Sequence, residues 1–268
     1  MSRPTGGLFG VLGLNLMVWA LAGGALLPLG WMVGMAFEGL SGGWTLENFW
    51  ILLSREPVGR WLVNSLFVSC TYTTLVVLLS ALGGYALAKY RFTGKRLAQG
   101  VLIGVLLLPP QVLLPGSYEL MDRLGWIDSY AALIVPGAVS VFGMLLFRQA
   151  MMAVPDDLLS AGRVDGCGEF RLWWGMALPM VRPMVGAFTL MSFISSWNAF
   201  LWPQIILQDE GKFTLPIGLA NLSGLPGYQA NQGLLMAATL VGVLPAVALF
   251  LILQKDFVAG LSSGGLKG

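Results

Sequence analysis

Six apolar stretches, each of about 20 or more residues, run along this 268-residue chain with short polar connections between them. They fall at about 8–36, 61–88, 98–118, 130–153, 184–207 and 233–254, and about 20 apolar residues suffice for a helix to cross a bilayer. The pattern predicts an all-α membrane protein of six transmembrane helices, a single membrane domain with no room for a separate soluble catalytic domain. The third stretch contains Pro109, Pro110 and Pro115 and is expected to be kinked or broken. Such breaks are tolerated where neighbouring helices or water satisfy the freed carbonyls. Residues 37–60 are too polar to span. Thr45 and Asn48 followed by Phe49, Trp50, Ile51 and Leu52 predict a short helix lying along the membrane surface, where Trp settles well. The segment 208–232, rich in Gly, Pro and Asn, reads as a surface loop. Residues 256–268 carry too many Gly and Ser for a stable isolated helix, and no internal repeat is visible.

Composition agrees. The chain is 56% hydrophobic and 10% charged, with a mean hydropathy of +0.77, against about a quarter charged residues in a soluble domain. Lys and Arg set the orientation. With the N-terminus inside, 11 of the 15 cations fall on the inner side and only Arg55, Arg60, Arg123 and Lys212 outside. The turn KYRFTGKR at 89–96 is the clearest inner marker. Both termini and the loop 154–183 are therefore expected in the cytoplasm of a bacterial or archaeal cell, the chain being multi-pass in its membrane and in contact with lipid. The first stretch is longer than a signal-peptide core and reads as a retained helix. The expected organisation is 1–59, a first transmembrane helix and outer segment; 60–255, a five-helix core carrying the loop; and 256–268, a cytoplasmic tail. Cys70 and Cys167 sit on opposite sides of this topology, which argues against a disulfide. With no His and two separated Cys, a zinc or haem site lacks ligands. A net charge of +2 and the lack of a basic cluster give no reason to expect nucleic acid.

Hydrophobicity does not account for the loop VPDDLLSAGRVDGCGEFRLWWGMALPMVRP at 154–183. Pro155 and Asp156 make a helix start, with the Asp side chain available as a cap and Asp157 favoured at the positive end. Leu158, Ala161, Gly162 and Asp165 share one face at helical spacing. The small residues at 161 and 162 admit a close neighbour, and Gly166 can take the left-handed conformation that ends a helix. Phe170, Trp173, Trp174 and Ala177 form a second apolar stripe, and the piece ends at Leu178 and Pro179. On these residues alone there are two readings: a helix–turn–helix knob that fits a socket in a partner, or an amphipathic hairpin on lipid headgroups anchored by Trp173 and Trp174.

The loop resembles the EAA loop by which membrane subunits of binding-protein-dependent ABC importers dock on their ATPase subunits. In that family it opens on Glu-Ala-Ala, continues to Asp-Gly-Ala, and after a helix carries Ile-x-Leu-Pro. Ala161, Asp165, Gly166, Leu178 and Pro179 match, while Ser160, Gly162 and Cys167 replace the Glu, the second Ala and the last Ala. The resemblance extends to Asn64-Ser65, YALAKYRFTGK at 85–95, LPPQ at 108–111, SWNAFLWP at 196–203 and GLSSGGLKG at 260–268. These five pieces keep the order and spacing of the carbohydrate-importer branch, in particular the maltose-type second permease, across about 45–268.

The resemblance implies a type I importer fold and a transport subunit, not an enzyme, that passes a sugar delivered by an extracytoplasmic binding protein. It implies a second permease as heterodimer partner and two ATP-binding subunits. ATP and Mg would sit on those subunits and no cofactor on this chain. Leu158, Ala161, Gly162, Asp165, Gly166 and Phe170 would meet the ATPase; either Asp165, or Asp156 and Asp157, would stand in for the family's Glu, or the partner socket would differ. Gly264, Gly265 and Lys267 of the tail would touch it too; the alternative for the tail is a disordered terminus. Polar groups in hydrocarbon usually face protein or water. Gln111, Trp197, Asn198 and Gln204 are the candidates to line a sugar path, whereas Ser192, Ser195, Ser196 and Asn64 read better as joints between helices.

Two other function classes fit less well. The chain has no G-x-x-x-x-G-K-[ST] phosphate loop, so the ATPase must be another polypeptide. A secondary transporter needs a titratable group or ion site near mid-membrane, and the apolar stretches hold no Asp, Glu, Lys or His away from their ends. A membrane enzyme would lack an acid–base pair for the same reason.

Overall fold

The computed structural model describes residues 8–39, 42–224 and 232–265. Among them the regular elements are helices, apart from one isolated bridge between Glu38 and Trp44. In chain order they are α1 (Leu8–Ala36), α2 (Glu47–Arg55), α3 (Val58–Lys89), α4 (Lys95–Leu106), α5 (Leu114–Arg123), α6 (Ala131–Ile134) and α7 (Val141–Met151). Then come α8 (Asp156–Val164), α9 (Glu169–Leu172), α10 (Leu178–Met180), α11 (Arg182–Trp197), α12 (Leu201–Ile206), α13 (Leu215–Gly224) and α14 (Gln232–Gly265).

Helices α1, α3 and α14 are long and apolar enough to cross a membrane in one piece. The remaining apolar stretches are interrupted, each for a local reason. In the third, α4 and the segment Pro110–Arg123 meet at 92°. Pro109 is extended, and Pro110 and Pro115 occupy first-turn positions of the turns that follow, where a missing N–H costs little. The fourth stretch, expected as one helix over 130–153, is two. Pro136 and Gly137 fall between α6 and α7, and the extended Ser140 caps α7 by accepting from the Gly143 amide at 3.0 Å. In the fifth, α11 stops at Trp197 and α12 starts at Leu201. At its other end α11 meets Glu169–Met180 at 85°; that charged piece belongs to the polar loop, and the bend marks where loop becomes span.

Two further expectations are corrected. The 208–232 loop contains α13, with Leu215 and Ile217 buried. Its first amide is bonded by Ser65 Oγ at 2.7 Å, 150 residues away, so no neighbouring residue could announce it. The tail is helical as far as Gly265, which includes Gly264, because α14 simply continues and needs no new nucleus. Gly260 and Asp256 pack on the start of α11, at Pro183 and Gly186. Lys267 lies outside the described residues.

The chain divides into two units, Met1–Val58 with Leu219–Val243, and Gly59–Gly218 with Leu244–Gly268. Within the first unit, Asn48 Nδ2 donates to the carbonyls of Ala36 and Glu38, at 3.1 and 2.8 Å, and holds α2 onto the end of α1. Phe37 stacks near Trp44 and Phe49. The surface of α1 is apolar, with Trp19, Leu27 and Trp31 exposed, as expected of a helix that meets lipid or another membrane helix.

The larger unit is built on close helix crossings. On α3, Val76, Val77, Ala81 and Tyr85 share a buried cluster with Phe147 and Met151 of α7 and with residues of the 154–183 loop. Glycines permit the approach: Gly84 lies against Phe147 and the backbone of Met144 and Arg148, and Gly143 against Ser80 and Phe188. Small residues at such crossings are the usual means of packing membrane helices. Gly84→Leu is expected to force α3 and α7 apart, since a Cβ there already meets backbone. Overpacking of this kind costs about 1–3 kcal/mol. The thermal midpoint of the purified protein in detergent should fall by several degrees, and an unchanged midpoint would show that the crossing is slack.

Candidate functional site

The loop 154–183 folds as a compact helical hairpin. Pro155, not Asp156, is the N-cap of α8, and it offers no side-chain hydrogen bond. Asp156 instead turns to Lys89 at the end of α3, 2.7 Å away. At the other end of α8 the Cys167 amide bonds the Gly162 carbonyl at 2.9 Å, and the Gly166 amide bonds that of Arg163 at 3.1 Å. With Gly166 at φ 78°, this is a Schellman ending, the conformation its sequence position called for. Arg163 then reaches over the turn and forks onto Glu169, at 2.7 and 3.2 Å.

Faces are set by burial. Leu159 and Gly162 point inward, and Gly162 lies against Leu172 and Met176 of the hairpin's own second arm. Its small size therefore serves the hairpin, and Gly162 is not on the outer surface as expected. Leu158, Ala161, Asp165, Gly166 and Phe170 are exposed. The second stripe splits: Trp173 and Ala177 are buried, while Phe170 and Trp174 stay outside with parallel rings 6.5 Å apart. Each pair is four apart, Trp173 with Ala177 and Phe170 with Trp174, and so shares a face; Trp173–Ala177 forms a π-helical turn. Val164, Phe170, Trp174 and Leu158 are 89%, 68%, 52% and 40% exposed, an apolar outer surface on an otherwise charged segment. The only ring pair among these exposed groups is Phe170 with Trp174.

A second feature was not foreseen. Lys89, whose side chain is 6% exposed, donates to the Val154 carbonyl at 2.5 Å as well as to Asp156. Tyr90 donates its hydroxyl to Glu169, whose other contacts are with Arg163. The last turn of α3 thus grips both arms of the hairpin. The hydrogen bonds from Arg163 and Tyr90 hold the Glu169 carboxyl below the usual carboxylate range, and the Lys89 bond does the same for Asp156. Burial, then the bond to Glu169, pushes Tyr90 up to about 12. Both carboxyls are depressed, so the grip is present above the ordinary carboxylate pKa near 4 and is lost as pH falls through their lower folded values. Tyr90 is raised, so its part is present below pH 10 and is lost as pH rises through about 12. Amide exchange over 154–172, corrected for its intrinsic pH dependence, is expected to be level from pH 5.5 to 9. Loosening inside that window would mean that other groups control the loop.

The opposite end of α3 is tied just as firmly. Asn64 Nδ2 donates to the carbonyls of Gly211 and Phe213, at 3.0 and 2.9 Å, and Trp61 Nε1 to that of Glu210. Asn64 therefore holds the segment before α13 and not a neighbouring span. That segment is fixed in turn by Asp128, which accepts from the Gln208 and Asp209 amides and from Lys212 Nζ at 2.6 Å. One 32-residue helix, about 48 Å long at 1.5 Å per residue, joins this segment to the hairpin.

The broken spans leave a cavity of about 340 Å³. Tyr72, Ser117, Ser195, Ser196 and Trp202 line it, together with Pro110, Pro136 and Gly137. None of the four path candidates does. Trp197 is turned into the core and stacks on Phe193, with centroids 5.6 Å apart, and Gln111, Asn198 and Gln204 are exposed elsewhere. Helical spacing accounts for this: at about 100° per residue, Ser195, Ser196 and Ala199 share a side that faces the cavity while Trp197 points away from it. Of the three serines read as helix joints, Ser195 and Ser196 lie on the cavity and Ser192 is buried.

Comparison with known proteins places these features. The family described as "Binding-protein-dependent transport system inner membrane component" matches residues 63–262. The arabinooligosaccharides transport system permease protein AraQ of Halalkalibacterium halodurans is 36% identical over 225 residues, 84% of this chain and 80% of the relative. The protein of the same name from Bacillus subtilis is 37% identical over 225 residues, 84% and 79% of the two chains. The sn-glycerol-3-phosphate transport system permease protein UgpE of Yersinia pestis bv. Antiqua is 33% identical over 208 residues, 78% and 74%. A chain of a bacterial ABC transporter involved in the import of the acidic polysaccharide alginate superposes with a TM-score of 0.82 at 19% identity, covering 96% of this chain and 99% of that one.

Proposed function

Since the chain belongs to the family of binding-protein-dependent transport system inner membrane components, we propose that it is one of two permeases through which an ATP-driven importer passes a carbohydrate. It is a membrane-spanning transport subunit of an ABC importer with the type I fold, and the chemistry of ATP hydrolysis lies outside it. The observation that carries the fuller reading is the hairpin 154–183, a rigid knob with an apolar outer surface anchored to a spanning helix.

The knob docks on one of two ATP-binding subunits in the cytoplasm, the side that the Lys and Arg distribution assigns to it and to both termini. ATP and its Mg are held there. Where the family has Glu, Ser160 brings no charge; Asp157 and Asp165, exposed and unengaged among the described residues, supply the carboxylates instead. When the ATP-binding pair closes, the knob moves, and α3, gripped by it, carries the movement to the segment 208–215 on the outer side. An extracytoplasmic binding protein presents the sugar there, and a second six-span permease completes the path. The relatives named for arabinooligosaccharides favour an oligosaccharide over a small phosphate ester.

Mild-detergent purification of the tagged chain from its host, with mass spectrometry of the associated proteins, tests this. Recovery of a second permease and a protein bearing a phosphate-binding loop is expected. A chain that purifies alone and transports in liposomes without ATP would instead be a secondary carrier.

A further inference from the structure

We propose that the cavity between the broken spans is a subsite for one uncharged sugar ring, which stacks on the indole of Trp202 and hydrogen-bonds to Ser195, Ser196 and Tyr72. The proposal rests on the carbohydrate-import reading and adds to it a place on this chain and a charge preference.

The geometry points to this ligand in four ways. Trp202 donates Nε1 to the Ala132 carbonyl at 2.9 Å, which spends its polar group on the protein and fixes the ring. The carbon part of the indole is what remains for the cavity, and an aromatic ring is a surface on which the C–H face of a sugar can lie. The hydroxyls of Ser117, Ser195, Ser196 and Tyr72 find no hydrogen-bond partner among the described residues, so polar capacity is left for a ligand. A mostly apolar wall with a few convergent hydroxyls is the pattern of a small-molecule site and not of a packed core. At about 340 Å³ the cavity sits at the small end of the roughly 300–1,000 Å³ range of such sites, which suits one ring of a longer chain.

Charge sets the preference. Among the described residues no Lys or Arg lines the cavity, so a phosphate or uronate entering it would give up part of its water with no cation to replace it, which disfavours an unpaired charge. A neutral ring leaves only hydroxyls to satisfy. The site should therefore accept neutral sugars and reject acidic ones of the same size.

The test uses the intact importer, purified with its partner subunits and reconstituted in liposomes. Cys70 and Cys167 are both free, so they are first replaced by alanine; Ser196→Cys is then introduced and its alkylation by N-ethylmaleimide timed. Maltotriose or arabinotriose in excess is expected to slow labelling at least fivefold. Glycerol 3-phosphate and galacturonate at the same concentration should leave the rate unchanged. Equal protection by neutral and acidic compounds, or protection by neither, would overturn the proposal. Trp202→Leu should lower neutral-sugar uptake about tenfold at unchanged subunit recovery, and unchanged uptake would likewise remove the stacking role. Parallel ATP-dependent uptake by the unaltered importer separates the two levels. Uptake of a neutral sugar without protection of Ser196→Cys defeats the subsite alone, whereas no uptake of any sugar defeats the import reading beneath it.

Discussion

Replacing Gly166 with arginine is expected to abolish ATP-driven uptake while the chain still inserts in the membrane and recovers its second permease. Gly166 ends α8 in the left-handed region, at φ 78°, with no atom within 4 Å of where a side chain would start. The fold therefore meets a substitution there through backbone strain alone, about 1–2 kcal/mol for an ordinary residue. That is too little to unfold a hairpin whose Leu159 and Leu172 are almost fully buried, since each would cost about 2–5 kcal/mol on truncation to alanine. What arginine adds is bulk and charge at the tip of the surface proposed to dock. Asparagine separates the two effects, because it tolerates the left-handed region better than other residues. Gly166→Asn should keep most uptake, Gly166→Ala should show the strain alone, and Gly166→Arg should lose both the ATP-binding subunits on purification and the uptake. If the arginine variant transports normally, the hairpin does not dock through its tip.

This hairpin is also where the sequence was most legible. Its break at Asp165-Gly166 and the second helix depend on neighbours within a few residues, and capping chemistry is local. The expected end at Leu178-Pro179 is corrected: the second arm runs on to Met180, because Pro179 sits in the first turn of α10, where a missing N–H costs little. The inward turn of Gly162 was not legible, because the spacing of Leu158, Ala161, Gly162 and Asp165 fixes a shared side of the helix without saying which residue meets the second arm. Likewise, hydropathy counted the apolar residues of 130–153 and passed over Pro136 and the Ser140 cap, so it returned one helix where there are two. Helix α13 gives its first amide hydrogen bond to Ser65, and the cavity takes its walls from four separate segments. Contacts of that range leave no periodicity. One readable signal was present and unused: Ser80 and Gly84, four apart on α3, form a small-residue pair at the crossing with α7.

The grip of α3 on the hairpin leads to the second large effect, which falls on coupling and not on assembly. Lys89 is the center of it, since its ammonium is nearly buried between the Val154 carbonyl and Asp156. Exposed ion pairs contribute only about 0.2–1 kcal/mol, so the Arg163–Glu169 fork by itself decides little. Removing Lys89 is different, because it leaves a buried carbonyl unsatisfied, at about 1–3 kcal/mol. Adding Tyr90→Phe cuts the bond to the second arm as well. Lys89→Met with Tyr90→Phe should leave the hairpin folded, held by Leu159, Leu172 and Trp173, and still docked on the ATP-binding subunits. The hairpin can then shift without drawing α3 with it. ATP hydrolysis should continue at half its rate or better, while sugar moved per ATP falls about tenfold, the size that about 1.4 kcal/mol of lost linkage gives. The single variants should fall short of the double, because each leaves one arm held. A parallel loss of hydrolysis and uptake would mean that the grip serves docking, and an unchanged ratio would mean that apolar packing alone carries the movement from the hairpin to α3.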